Sequence, residues 1–396
     1  MEKTEIRICL CMIVKNESKI IERCLESAKS IIDYVSICDT GSTDQTPELI
    51  QSWCEKSGIP GTVHFEQFKN FGYNRSLAVS LAKKTYPEAN YLLLLDADMI
   101  LQVDSLFDKN SLCYDQYLTP QHTGQLKFWL TRLIKTSLPW KSVGVTHEYW
   151  DVDRSNLEGS YLDTRGRLDS LIIDDQGDGG SRSDKFERDK KLLLEGVMDP
   201  STPSYLIPRY MFYLAQTYMC LGEYEESINW YKNRVAVGGW VEEIFYSLLQ
   251  IGICYEDLAN QNSSENEQKK ESSLQLEEEQ NLALAIHYFQ KAWEYRPSRA
   301  EPLYHLARIH RSKGNYNLGM LYARQGQNIP FPSEDILFVD FHVYDYLFDY
   351  ELSICSYYVE NEYEVGRDAQ NKLTSKINSL PQDIAEVVKQ NAKFYK

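Results

Sequence analysis

The sequence has no apolar run long enough to cross a membrane, no paired Cys-x-x-Cys motif and fewer cations than anions. Each shortage removes a class of function. The first apolar run, residues 8–14, is only seven residues long, lies behind a charged start and is followed by no small-residue cleavage site. It reads as a strand, not as a secretory leader. No later run approaches the roughly 20 apolar residues of a spanning helix, so the expectation is a soluble, cytoplasmic chain without membrane insertion. The nine cysteines are odd in number and scattered, mostly inside apolar segments (Cys9, Cys11, Cys38, Cys254). That pattern offers neither a zinc site nor a disulfide framework and implies reduced thiols. With 42 Lys and Arg against 58 Asp and Glu, the net charge of −16 argues against nucleic acid as the principal partner. A local basic pocket for a nucleotide remains open.

What is present is the composition of a globular protein, 43% hydrophobic and 25% charged, in 396 residues. That length exceeds one ordinary core and implies two or three domains. In the N-terminal half, strand and helix patterns alternate. A strand over 6–14 is broken by Lys15-Asn16-Glu17-Ser18 and followed by the helical spacing of Ile20, Ile21, Cys24, Leu25 and Ala28. A second strand, 34–38, ends in Asp39-Thr40-Gly41-Ser42-Thr43-Asp44, and Thr46-Pro47-Glu48 reads as a helix start. A short strand over 62–66 and a helix over 73–84 lead to a third apolar run, 91–95. Such alternation predicts a mostly parallel sheet built from βαβ units.

Composition shifts near residue 200, from a polar, glycine-rich stretch to long tyrosine-rich helical patterns. A weak repeat runs through 210–330. Its first copy carries Ala215, Tyr218, Gly222, Tyr224, Tyr231 and Val235, its second Ala285, Phe289, Ala292 and Pro297, and its third Ala307, Gly314, Tyr316 and Gly319. Small residues where paired helices touch, glycine at the turn and proline at the close resemble tetratricopeptide repeats. The polar insert 261–280 reads as a loop or a solvated helix extension without chemistry of its own. From 331 onward, Ile336, Leu337, Val339, Phe341, Tyr344 and Leu347 follow a helical spacing, and capping helices over 331–396 are the expected role. The predicted division is therefore an α/β domain over 1–195 (1–110 for the nucleotide, 111–195 for the acceptor) and an all-α repeat domain over 196–396.

The segment YLLLLDADM, 91–99, reads as a strand buried on both faces that runs into Asp96 and Asp98. Ligands of open α/β sheets bind beyond such strand ends. In an extended segment, residues i and i+2 point to one side, so the two acids can share a hard divalent cation that neutralises a diphosphate. The residues alone equally allow an acidic turn.

Three motifs in order, LCMIVKNES (10–18), ICDTGSTDQT (37–46) and LLLLDADM (92–99), resemble the opening strand, the acidic turn and the metal motif of inverting glycosyltransferase family 2, which has the GT-A fold. The resemblance covers about residues 6–190, and a transferase followed by tetratricopeptide repeats is an architecture that family contains. It implies a UDP-sugar donor held by Val14, Asn16 and Glu17 on one side and by Asp39, a partner for the uracil imide, on the other. Asp39 is otherwise a turn or cap residue, and Glu17 a cap for the next helix. Relatives carry Asn or Arg near Asn74-Arg75 facing the diphosphate or donor sugar; forked donors suit Arg75 to phosphate, and a surface salt bridge is the alternative.

The resemblance further implies Mn²⁺ or Mg²⁺, with Asp98 the direct ligand and Asp96 on the ribose or on the metal through water. Relatives supply one more ligand or phosphate contact from a loop that here is residues 177–185. Asp178 is the candidate metal ligand there, and Arg182 and Lys185 the candidates to screen the leaving UDP; an interdomain linker is the plainer reading. Inverting transfer needs a carboxylate that takes the acceptor proton. Glu148, with His147 beside it, stands where the family places that base, and Asp151 and Asp153 are rivals. Trp129, Trp140, Tyr149 and Trp150 are either sugar platforms or core. The resulting expectation is a metal-dependent inverting transferase acting on a glycan, protein or peptide hydroxyl brought by the repeats. A repeat scaffold with a degenerate transferase domain and a nucleotidyltransferase are the alternatives.

Overall fold

A computed structural model of the chain describes residues 5–123, 126–156, 161–179, 185–269 and 272–395. The chain divides into two compact units, the first ending at Gly196 and the second starting at Val197.

In the first unit, β1 (Ile8–Val14), β2 (Tyr34–Asp39), β3 (Gly61–Phe65) and β4 (Tyr91–Leu94) are linked by α1 (Ile21–Ala28), α2 (Thr46–Ser57) and α3 (Phe71–Thr85). The four strands pair in parallel in the order β3-β2-β1-β4. The apolar runs form strands because both sheet faces are covered. Leu10, Ile37 and Leu93 pack with Ile21, Leu25, Ile50 and Trp53 of α1 and α2. Cys9, Cys11, Cys38 and Leu92 pack on the other side with Ala78, Val79 and Ala82 of α3. The nine cysteines are all free thiols.

Beyond β4 the sheet becomes mixed. It adds β5 (Met99–Val103), β6 (Gln116–Thr123), β7 (Leu126–Lys135), β10 (Arg165–Arg167) and β11 (Leu171–Asp175) in the order β4-β7-β6-β11-β5, with β10 beside β6. A separate ribbon joins β8 (Trp140–Val143) to β9 (Tyr149–Val152). Helix α4 spans Lys185–Met198. The mostly parallel α/β architecture agrees with the sequence reading, with one local difference. The strand stops at Leu94, and residues 97–98 form a turn into β5 in which Met99 N–H donates to the Asp96 carbonyl (3.0 Å). The extended geometry expected to aim both acids one way is absent.

The second unit is helical. Its three pairs are α5 (Ile207–Cys220) with α6 (Tyr224–Val237), α7 (Val241–Lys269) with α8 (Ser272–Tyr295), and α9 (Glu301–Ser312) with α10 (Tyr316–Gln327). The small repeat positions Ala215, Ala285, Ala292 and Ala307 are fully buried, and Gly222 and Gly314 turn their pairs at φ of +76° and +74°. The insert continues α7 and α8, so it is a helix extension among the described residues. Helical backbone resumes only at residue 341, so Ile336, Leu337 and Val339 lie outside the helix their spacing suggested. The Glu242 carboxylate accepts from Ile336 N–H and Leu337 N–H (2.9 and 2.8 Å), and Arg299 donates to the Phe338 carbonyl (3.1 Å). These buried partners take the place of helical hydrogen bonds. α11 (Phe348–Cys355), α12 (Tyr363–Ser375) and α13 (Gln382–Asn391) complete the unit. No described helix is long and apolar enough to cross a membrane.

Candidate active site

A cavity of about 660 Å³ opens at the carboxyl ends of β1 and β4, within the size range of small-molecule sites. Val14, Asn16 and Glu17 line it on one side and Ala97, Asp98 and Met99 on another; Arg75 and Asp96 belong to its wall. The 14–17 loop owes its path to the turn after β2. Asn16 sits at φ +59°, a conformation that asparagine tolerates better than most residues. Its amide oxygen accepts from Thr43 N–H (2.7 Å), and its own N–H donates to Ser42 Oγ (2.9 Å). Glu17 caps α1 through its carbonyl, which accepts from Ile20 and Ile21 N–H, and its side chain lines the cavity.

Asp39 ends β2, level with Val14 across the parallel pair. Its Oδ1 accepts from Gly41 N–H and Ser42 N–H (2.9 and 2.8 Å), which is the turn-holding role. Oδ2 is buried and accepts no hydrogen bond from the described residues. The neighbouring Thr40, not Asp39, appears in the cavity lining.

The two acids of the 96–98 turn diverge. Asp96 Oδ1 meets Arg75 Nη1 at 2.7 Å, and its Oδ2 lies 4.0 Å from Arg132 Nη1. Burial opposes ionisation of Asp96, yet Arg75 and then Arg132 outweigh it and hold the carboxyl below its ordinary range. Asp98 instead faces Gly179 and Glu17. A Cβ built on Gly179 would stand 3.3 Å from Asp98 Oδ2 and 3.5 Å from Glu17 Oε1. Two carboxylates therefore lie close to one glycine, Gly179, and supply hard oxygen donors suited to a divalent cation.

Arg75 also meets Glu148: its Nε lies 2.6 Å from Glu148 Oε1, an ion pair off the N–H axis and not an aligned hydrogen bond. Burial works against the Arg75 charge, but Asp96 and Glu148 overcome it and raise the guanidinium above its ordinary value. The loop that carries Glu148 follows β8 and is tied to α3. Phe71 N–H donates to the Val145 carbonyl (3.0 Å), Ser142 N–H donates to Ser76 Oγ (2.9 Å), and Gly72 packs directly on the Gly144 carbonyl. His147 stands in that loop at φ +50°, and Thr146 Oγ1 donates to Asp189 of α4 (3.2 Å).

Several expected residues point elsewhere. Asn74 is fully buried and anchors the preceding loop, accepting from Lys69 N–H (2.8 Å) and donating to the Gln67 carbonyl (3.0 Å). It does not reach the cavity. Asp178 is gripped at two points by Arg23 (2.7 and 2.8 Å), so both its oxygens serve an ion pair. Among the described residues no three His, Cys, Asp or Glu side chains group as a metal cage. Arg182 lies outside the described residues; Lys185 begins α4 and lines the cavity. Asp151 pairs with Arg154 (2.7 Å), and Asp153 accepts from Ser155 N–H (3.0 Å), so both rivals serve their own turn. Trp140 is buried in the core and Trp129 lies under the Arg167 guanidinium, while Tyr149 remains 38% exposed.

Sequence reasoning missed Asp175, Gln121, Arg132 and Arg188. Asp175 ends β11 and lines the cavity, accepting at Oδ2 from Gln121 (3.2 Å) and Thr123 (3.3 Å). The run LIIDD repeats the pattern of apolar strand into acids and was its available signal. Buried Arg132 donates to the Leu94 carbonyl (3.3 Å) and to Gln121 Oε1. Arg188, three residues past Lys185 on α4, lines the cavity with its guanidinium over Phe71 (5.1 Å).

The family model of glycosyl transferase family 2 matches residues 9–108. Over 257 residues the chain is 25% identical to a TPR repeat-containing protein of Synechococcus elongatus, covering 61% of this chain and 60% of that protein. Over 159 residues it is 27% identical to the SPbeta prophage-derived glycosyltransferase SunS of Bacillus subtilis, covering 37% and 36%. The chain thus spans less than two thirds of each. Among solved structures, S. aureus TarS 1–349 aligns with a TM-score of 0.34 at 13% identity, over 72% of this chain and 92% of that one.

Proposed function

We propose, for a chain whose N-terminal domain belongs to glycosyl transferase family 2, that it moves a sugar with inversion from a UDP-sugar to an acceptor hydroxyl, assisted by a divalent cation. The observation that carries this reading is the approach of Glu17 and Asp98 to Gly179, inside a cavity that Lys185 and Arg188 also line. Glu17 and Asp98 would hold Mn²⁺ or Mg²⁺; when bound, the cation supplies positive charge against the departing diphosphate. Lys185 and Arg188 add donors for the same phosphates. The 39–42 turn and the 14–17 loop would flank the nucleoside end, where Thr40 lines the cavity and Asp39 Oδ2, buried beside it, would meet the imide of a uracil inserted there. Glu148 would take the acceptor proton as the new glycosidic bond forms, and the helical repeats suit a polypeptide or glycan acceptor. The test compares the whole chain with two variants, offering UDP-sugars with Mn²⁺ and following release of UDP. Asp98→Ala is expected to abolish turnover and metal-dependent UDP binding, and Glu148→Gln to abolish turnover while leaving UDP binding intact. Full activity in both would refute the reading.

A further inference from the structure

We propose that Arg75 is a positioning residue for Glu148, and that Asp96 serves the reaction as the counter-ion of Arg75 and not as a ligand of the metal. The inference rests on the role given to Glu148 above. Arg75 lies between two carboxylates that come from segments over fifty residues apart, Asp96 after β4 and Glu148 after β8. Its contacts of 2.7 and 2.6 Å use two different nitrogens of one planar group. The planar group thus stands between the two acids, at hydrogen-bond distance from Asp96 and in ion-pair contact with Glu148, and limits where the Glu148 carboxylate can sit.

The clamp is anchored behind Asp96. Arg132 faces the other Asp96 oxygen and is itself fixed by the Leu94 carbonyl and by Gln121, which donates onward to Asp175. A continuous chain of charged and amide groups thus runs under the cavity, from Glu148 through Arg75, Asp96, Arg132 and Gln121 to Asp175. The backbone supports the same alignment: α3, which carries Arg75, also grips the Glu148 loop through Phe71, Gly72 and Ser76. Turning Arg75 toward a phosphate would leave Asp96 and Glu148, both largely buried, without their shared cation. Besides these two acids, Arg132 and the Cys11 thiol face Arg75, and Asp189 on α4 faces Glu148. Among these neighbours only Arg132 could substitute for the cation, and it is committed to Asp96 and Gln121.

The experiment uses the full chain with a UDP-sugar and Mn²⁺, and compares Arg75→Gln, Arg75→Lys, Asp96→Asn and the Gln/Asn double variant. A misaligned base costs on the order of 10–100-fold in rate, so Arg75→Gln should lower kcat by that much with donor KM little changed, and Arg75→Lys should recover part of it. Asp96→Asn should lose kcat similarly, and combining it with Arg75→Gln should add no more than about twofold, because both act through one contact. Amide exchange over residues 144–149 is read in parallel and needs no turnover. It should quicken in Arg75→Gln and Asp96→Asn and keep its wild-type rate in Asp98→Ala. A raised donor KM with unchanged kcat, or additive losses in the double variant, overturns the proposal. If the wild-type chain turns over no nucleotide sugar, the functional reading fails separately. Exchange at 144–149 then decides, and unchanged rates in Arg75→Gln overturn the clamp.

Discussion

The substitution Asp39→Asn separates the two tasks of one carboxylate. Oδ1 holds the turn through Gly41 and Ser42 N–H, while buried Oδ2 accepts nothing from the described residues. Asparagine keeps an oxygen for the two amides and places an NH₂ where Oδ2 stood. The turn then loses only the charge assistance of its hydrogen bonds, about 1 kcal/mol, and melting should shift by a few degrees at most. For uridine the change is larger. A charge-assisted bond from the uracil imide, about 1.5–3 kcal/mol, disappears, and two donors are left facing each other, at about 1–3 kcal/mol for the unsatisfied group. A combined loss of about 3–4 kcal/mol corresponds to a Kd for UDP raised roughly 100- to 1,000-fold. Cytosine presents an acceptor where uracil presents the imide N–H, so CDP should gain relative to UDP. Calorimetry with UDP, CDP and Mn²⁺ on both proteins gives the answer. A variant that is folded and binds UDP within about threefold of wild type, a change below 1 kcal/mol, would remove Asp39 from base recognition.

Two further outcomes follow from packing and titration. Gly72→Ala would place a Cβ 2.1 Å from the Gly144 carbonyl, and neither backbone can give way without breaking the α3 clip. Overpacking of this kind costs about 1–3 kcal/mol, so the first unit should unfold at lower urea and turnover should fall with it; an unchanged midpoint refutes the contact. His305, stacked on Phe289 at 4.7 Å, is pushed down to about 3 by burial and then by Arg308. The unfolded chain takes up a proton below its ordinary value near 6.5 and the folded chain does not, so stability is full above that pH and falls as pH drops toward 3. The slope is about 1.4 kcal/mol per pH unit, or about 2 kcal/mol between pH 6.5 and 5. His305→Gln should lose this part of the acid sensitivity of the second unit in urea titrations, and an equal slope in both proteins would refute it.

The parallel half of the sheet was legible because strands buried on both faces are written as apolar runs, and the residues that end them fall at one edge by construction. That is how the 96–98 acids could be placed at a ligand site from sequence, while Val14 and Glu17 came to it through the family resemblance. What failed were directions. Asn74 and Arg75 are neighbours on a helix, about 100° apart, and spacing alone does not tell which one meets the ligand. The structure turns Asn74 to the 67–69 loop and Arg75 to the acids. Asp96 and Asp98 were assigned one direction on the assumption of an extended backbone, and the turn at 97–98 sends them to different partners. Asp175 carried a signal in LIIDD, but its meeting with Arg132 and Gln121 was invisible for another reason. They meet through antiparallel pairing of β6 and β7 and the alignment of β11 beside β6, and no local pattern encodes those registers.

The placement of charge also bears on why a cation would be needed. Among the described residues the cavity is lined by four carboxylates (Glu17, Asp96, Asp98, Asp175) and four cations (Lys15, Arg75, Lys185, Arg188). Arg75 is already shared between Asp96 and Glu148, so its charge is not free for a diphosphate. Lys15, Lys185 and Arg188 then stand against Glu17, Asp98 and Asp175, with nothing left over for a ligand carrying two or three negative charges. A site so balanced should bind uridine without metal as well as with it, and should bind UDP tightly only when a divalent cation offsets Glu17 and Asp98. The contrast between uridine and UDP, each with and without Mn²⁺, isolates that electrostatic term. Equal metal dependence for both ligands would place the cation away from the phosphates and would undo the assignment of Glu17 and Asp98.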